Sequence, residues 1–142
     1  MKTIYLLSLV GALAGCATGP QGPSPQDDLR RMSYEGISLH AAFNAQYLQS
    51  KSEKELMDAS QEAAKIGLKD PTSAQFRNVR VLPHVSGKIV CGEINGKNSY
   101  GGYVGFRPFA ASPSGATMLR TGGKYAEVDE LSNVGLRAAC GY

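Results

Sequence analysis

Tryptophan is absent, and the 142 residues hold only three cysteines and two histidines. Neither His40 nor His84 has an Asp or Cys at ligand spacing, so a metal site is not predicted, and no cofactor is expected. Charge is scarce too: Asp, Glu, Lys and Arg make up 19% of the chain, 15 basic against 12 acidic. A net charge of +3 without a basic stripe argues against nucleic acid as a partner. With 42% hydrophobic residues, the chain is not a highly charged disordered one. No apolar run approaches the roughly 20 residues that span a bilayer. Glycine, by contrast, is abundant. Its 17 residues exceed the usual share of about 7%. Together with the aromatics they predict tight turns and a β-rich core, and the length fits one domain.

Met1-Lys2 is a cationic start, and 4–13 is an apolar stretch of secretory-signal length. Leu13-Ala14-Gly15-Cys16 follows, and it resembles the lipobox of bacterial lipoproteins. The resemblance implies that 1–15 is a signal peptide and that Cys16 becomes a lipidated first residue, with acyl chains such as palmitate on its thiol and amine. Two or more chains anchor stably, each buried CH₂ contributing about 0.8 kcal/mol. Ala17, in place of Asp, is similar to an outer-membrane sorting signal. The expected location is the bacterial cell envelope, as an outer-membrane lipoprotein with a periplasmic domain, the membrane being a partner through Cys16.

Segment 16–50 is expected to be the lipidated cysteine and a flexible tether, because 17–26 holds three prolines and two glycines. Within it Leu39, Phe43 and Tyr47 share one helical face, which predicts a short helix near 39–49. The globular domain is expected at 51–142. Ser52 and Glu55 form a capping box. Leu56, Ala59, Ala63 and Ile66 then share a face, predicting a helix over 53–66 with Gly67 as a left-handed stop. Asp70-Pro71 predicts a single further helical turn. Strands follow at 76–83, 88–95, 99–109 and 116–120, with turns at 86–87 and at Asn95-Gly96, and a short helix over 129–140. Helix before meander makes this an α+β fold: a helix packed on three to four antiparallel strands.

Two blocks stand out: DPTSAQFRNVRV at 70–81 and CGEINGKNSYGGYVGFRPF at 91–109. Together they resemble a family of small bacterial secreted and lipoprotein domains with the pattern D-P-x-S-A-x-F-R-N-V, a spacer, then C-G-E-hydrophobic-N-x-K-N-x-Y-G-G-Y-x-G-F. The resemblance implies a domain boundary and an exported location, and no reaction. Read physically, Gly101, Gly102 and Gly105 among aromatics mark a bulge or close backbone approach. Tyr100, Phe106 and Phe109 are expected to pack there, over the 53–66 helix. The alternative is an aromatic platform for a sugar or peptide.

With Cys16 lipidated, Cys91 and Cys140 are an even pair in an oxidising compartment, which predicts a disulfide. It would close a loop of about 50 residues and contribute about 4 kcal/mol. The rival is Cys91 as nucleophile with His84 as base. A thiol inside an apolar strand is usually inert, which disfavours it. Glu93 shares the parity of Ile89 and Cys91 and needs a partner from among Arg77, Arg80, Lys97 and Arg107. Glu93, Asn95, Lys97, Asn98 and Arg77 form the candidate polar site, for binding or for structure. Glycosidase chemistry needs a second carboxylate, and neither Asp70 nor Asp129 is an obvious one. GGYVG lacks the Lys and Ser/Thr of a phosphate loop. The favoured reading is a membrane-anchored, non-enzymatic lipoprotein whose small binding or structural domain meets an envelope protein or polymer. The alternatives are an envelope hydrolase acting on peptidoglycan or peptide, and an accessory lipoprotein of a secretion or conjugation complex.

Overall fold

Ser24 opens the first helix. Its hydroxyl accepts from the Asp27 amide while the Asp27 carboxylate accepts from the Ser24 amide, and Pro25 sits where a missing N–H costs nothing. The computed structural model describes residues 22–142. The expected signal peptide, Cys16 and Ala17 lie outside the described residues. The elements run α1 (Pro25–Tyr47), α2 (Glu53–Lys65), β1 (Asp70–His84), β2 (Gly87–Lys97), β3 (Arg107–Ser112), β4 (Gly115–Met118) and α3 (Ala126–Cys140). The fold is α+β, with a four-stranded antiparallel sheet in the order β1-β2-β3-β4. No described helix is long and apolar enough to cross a membrane.

The tether expected over 16–50 gives way to helix from Pro25 onward, with 23 residues in α1 instead of a short piece near 39–49. The buried face is also a different one. Ile37, Ala41 and Asn44 point inward, while Leu39 and Phe43 are 61% and 49% exposed. The sheet selects the small residue: a Cβ on Gly87 would lie 2.6 Å from the Ala41 carbonyl oxygen, so α1 runs almost against strand backbone. Asn44 donates to the Ala111 carbonyl at 3.0 Å.

The core lies on both faces of the sheet. Ile89 and Cys91 of β2 pack with Ile37 of α1 and Leu136 and Cys140 of α3. Val90 and Ile94, of opposite parity, pack with Leu56 and Ala64 of α2 and with Phe109. Alternate β2 side chains point to opposite faces, so this central strand is buried almost throughout. The disulfide joins Cys91 to Cys140, with Cα atoms 5.7 Å apart, and ties α3 to the strand beneath it. The α1–α3 seam is closer still. Ser33 Oγ donates to the Ser132 carbonyl at 2.7 Å and accepts from the Gly135 amide at 2.9 Å. Gly135, which weakens the helix signal locally, is the residue that lets α1 approach.

Four local expectations change. Asp70-Pro71 begins a strand instead of a helical turn, because Asp70 Oδ1 accepts from the Thr72 amide and hydroxyl and so folds the chain into β1. The proline is tolerated since β1 is an edge strand. Gly67 is not a left-handed stop. A Cβ there would stand 2.8 Å from Met118 Cε, so the need is for space, and Ile66 points outward at 81% exposure. Asn95-Gly96 does not turn: both lie within β2, and a Cβ on Gly96 would meet Leu68 at 2.9 Å. Tyr100 and Tyr103 stay outside the core, at 97% and 48% exposed, and β3 begins only at Arg107; of the expected aromatics only Phe109 is buried.

Candidate functional site

A bulge in β1 prepares the polar cluster. The register shifts between Arg77, opposite Glu93, and Arg80, opposite Cys91, and Asn78 takes a positive φ of 54° there. Asparagine is among the few side chains that tolerate this region. The kink brings Arg77 and Asn78 to the same carboxylate. Arg77 grips Glu93 with two bonds of 2.9 Å, and Asn78 Nδ2 donates at 2.8 Å. The Arg77 guanidinium also lies 4.1 Å from the centre of the Phe106 ring. Hydrogen bonds from Arg77 first, then Asn78, hold the Glu93 carboxyl below its ordinary range. A general acid needs the opposite shift, so Glu93 is built as a fixed anion.

The 98–106 segment is held by backbone and amide bonds instead of a packed side-chain core. Asn98 Oδ1 accepts from the amides of Tyr100 (2.9 Å) and Gly102 (3.1 Å), and the Asn98 amide donates to the Gly102 carbonyl at 2.8 Å. Asn95, itself buried, accepts from the Gly105 amide at 3.0 Å. Gly101 and Gly105 carry φ of 81° and 95°, a conformation that side chains disfavour. The result presents Tyr100, Tyr103 and Val104 to solvent as neighbours. A lone exposed aromatic needs no explanation, whereas three apolar side chains on one pinned loop suit a contact surface. Lys97 Nζ stands 5.5 Å from the centre of the Tyr103 ring.

No family model, no curated protein and no solved structure matches the chain. The five residues of the predicted polar site do not converge. Arg77 and Glu93 form one ion pair, Asn95 and Asn98 brace the loop, and of the five Lys97 and Asn98 line an open cleft. That cleft, about 400 Å³, also takes in Lys69, Arg107 and Thr121, none of them in the predicted polar site, although Arg107 is one of the partners offered for Glu93. Lys69 immediately precedes the first motif block and Arg107 lies within the second, but only the folded chain shows that no carboxylate reaches them.

Cys91 is bonded to Cys140, so a thiol hydrolase built on Cys91 and His84 has no free thiolate. His84 Nδ1 accepts from the Ser86 amide inside the β1–β2 turn. The other histidine is in a tighter setting. His40 Nδ1 lies 2.9 Å from Ser112 Oγ and Nε2 lies 3.2 Å from Thr117 Oγ1, which pins α1 to the β3–β4 hairpin. Ser112 is fully buried, so a substrate cannot reach this Ser–His pair. Among the described residues, no group of three or more His, Cys, Asp or Glu converges as metal ligands.

Burial pushes the His40 pKa down from its ordinary 6.5. The unfolded chain then binds the proton more readily than the folded one. Stability is complete above about pH 6.5 and falls as the pH drops from there through the folded pKa. Thermal unfolding of the full chain between pH 7 and pH 5 should show a declining melting temperature, and His40→Gln should flatten that slope. An unchanged slope in the variant would assign the decline to other groups.

Proposed function

We propose that this chain is an outer-membrane lipoprotein, anchored through acylated Cys16, whose small non-enzymatic domain binds an envelope polymer through the 98–106 loop. The observation that carries the reading is the loop itself: exposed Tyr100 and Tyr103 held in place by Asn95 and Asn98 without packing into the core. Flat aromatic faces that stay exposed at fixed positions bind sugar or peptide rings at little entropic cost. Leu13-Ala14-Gly15-Cys16, followed by Ala17, supports the anchor and the destination. The resemblance of 70–81 and 91–109 to exported bacterial domains supports the same compartment. Eight residues separate Cys16 from the start of α1 at Pro25, so the leash keeps the domain within about 30 Å of the lipid surface at full extension.

The test is sedimentation of the purified full chain, in detergent micelles, with insoluble cell-wall fragments. The wild type should pellet with the fragments, and Tyr100→Ser/Tyr103→Ser should remain in the supernatant. A full chain that never pellets would overturn the binding reading. Mass measurement of the N-terminal peptide checks the anchor: diacylglyceryl and acyl mass on Cys16 supports it, and an unmodified Met1 start removes it.

A further inference from the structure

Nine of the cations on the described residues sit in ion pairs with carboxylates, from Arg30–Asp27 at one end of the chain to Arg137–Glu130 at the other. Arg80 is occupied differently, donating to the Cys140 carbonyl at 2.8 Å. Lys124 lies over the Tyr125 ring. Lys69, Lys97 and Arg107, like these two, have no carboxylate within ion-pair distance among the described residues. All three line the same cleft, between the α2–β1 connection and the 98–106 loop. Scattered lysines left over from surface pairing would not be expected to converge.

No carboxylate lines this cleft. Asp70 is opposite Lys97 in the strand register, but its Oδ1 is taken by the amide and hydroxyl of Thr72. Asn98, which lines the cleft, spends its oxygen on the Tyr100 and Gly102 amides, which leaves its Nδ2 as a donor. The Thr121 hydroxyl adds one more polar group. Gly67 and Gly96 also line the cleft, and their missing side chains let Met118 and Leu68 pack against the backbone there. A positive cleft whose side chains chiefly donate fits an oxyanion, and cations gathered without counter-charges raise the local concentration of anions. Next to it stand Val104 and Tyr103, the apolar and aromatic faces that a sugar ring prefers. The largest other cavity, about 500 Å³ beside α2, is a poor rival: its carboxylates Glu55, Asp58 and Glu62 are each already paired with a lysine.

The geometry points to a recognition site for an acidic saccharide, a sugar unit bearing carboxylate or phosphate, in the cleft of Lys69, Lys97 and Arg107. The inference rests on the binding reading above and names the chemistry of its ligand. The cations hold the acid, and the tyrosine-bearing loop covers the ring to which the acid is attached.

The experiment is calorimetric titration of the full chain in detergent micelles with four probes: galacturonate trimer, glucose 6-phosphate, neutral maltotriose and inorganic phosphate. Galacturonate trimer or glucose 6-phosphate should bind at least 10-fold more tightly than maltotriose and than inorganic phosphate. Lys69→Gln and Arg107→Gln should each weaken that binding about 10-fold, as expected on losing a charged hydrogen bond. Lys54→Gln, which removes an equal charge already paired with Asp58, should leave it unchanged. Lys69 is exposed and the one polar neighbour of Arg107 is Met118 Sδ at 4.0 Å, so both variants should fold, checked by circular dichroism. No binding of either acidic sugar, equal binding of maltotriose, phosphate binding as tight as the sugars, or an equal loss in Lys54→Gln would each overturn the inference. Pelleting with cell wall that survives Lys69→Gln/Arg107→Gln but not the double tyrosine variant would sink the acid site and leave the binding domain standing. Absence of all pelleting would sink the binding domain itself.

Discussion

Replacing Gly135 by alanine is expected to lower the melting temperature of the full chain by about 10 °C, a loss of about 2–3 kcal/mol for a domain of this size. In an isolated helix the same change would stabilise by about 1 kcal/mol. The sign reverses because the new Cβ would lie 2.4 Å from the Ser33 carbonyl oxygen and 2.7 Å from its carbon. Both atoms are α1 backbone, so no side chain can rotate away. The helices must separate, and the Ser33 hydroxyl then loses its bonds to Ser132 and Gly135. Gly36→Ala is the matched control. Its Cβ would meet nothing within 4 Å, so the ordinary helix preference should appear as a small gain. Differential scanning calorimetry of the two variants decides the matter, and a neutral Gly135→Ala would show that α1 and α3 are not in backbone contact.

Removing the Cys91–Cys140 bond should have the larger effect of the two. The cysteines are 49 residues apart, and closing a loop of that length restrains the unfolded chain by about 4 kcal/mol in the chain-entropy model. The double variant Cys91→Ala/Cys140→Ala is expected to melt about 15 °C lower while keeping its secondary structure at 20 °C. Both sulfurs are fully or almost fully buried against Ile37, Ile89 and Leu136, so the alanines also leave a small void. Intact-mass analysis without reductant checks the premise. Neither Cys91 nor Cys140 should alkylate, and two reactive thiols would remove the staple. An unaltered melting temperature in the double variant would place α3 docking on packing alone.

The parts of this structure that were legible in the sequence are those whose cause is local. Ser52 and Glu55 cap α2 as their spacing requires, and Leu56 and Ala63 face inward at helical intervals. Cys91 and Cys140 pair because they are the two cysteines left to the folded domain once Cys16 is set aside. The start of α1 has a local cause too, a capping box at Ser24 and Asp27 with Pro25 at the first position, but it went unread. The prolines and glycines around it obscure that signal, and they predict a tether. The candidate site was less open to reading. The Glu93–Arg77 pair was one of four partnerships the sequence left open, and the strand register selected it, with the bulge at Asn78, which a residue pattern does not announce, adding a second donor. Lys69 and Arg107 look like any other surface cations until the ion pairs are known.

By itself the sequence determined the class of the fold, the α2 helix, the meander of strands and the covalent link, because capping, alternation and cysteine number act over short distances or by simple exclusion. Tertiary structure decided which face of α1 is buried, why Gly67, Gly96 and Gly135 are glycines, and which cations lack a counter-charge. Each depends on what lies across a contact from a residue distant in the chain. A glycine needed for close approach reads like one needed for a turn, and an exposed tyrosine reads like a core tyrosine. Close packing against the backbone of Ala41 and Ser33 and the side chain of Leu68 separates the first pair, and the amide bonds of Asn95 and Asn98 separate the second.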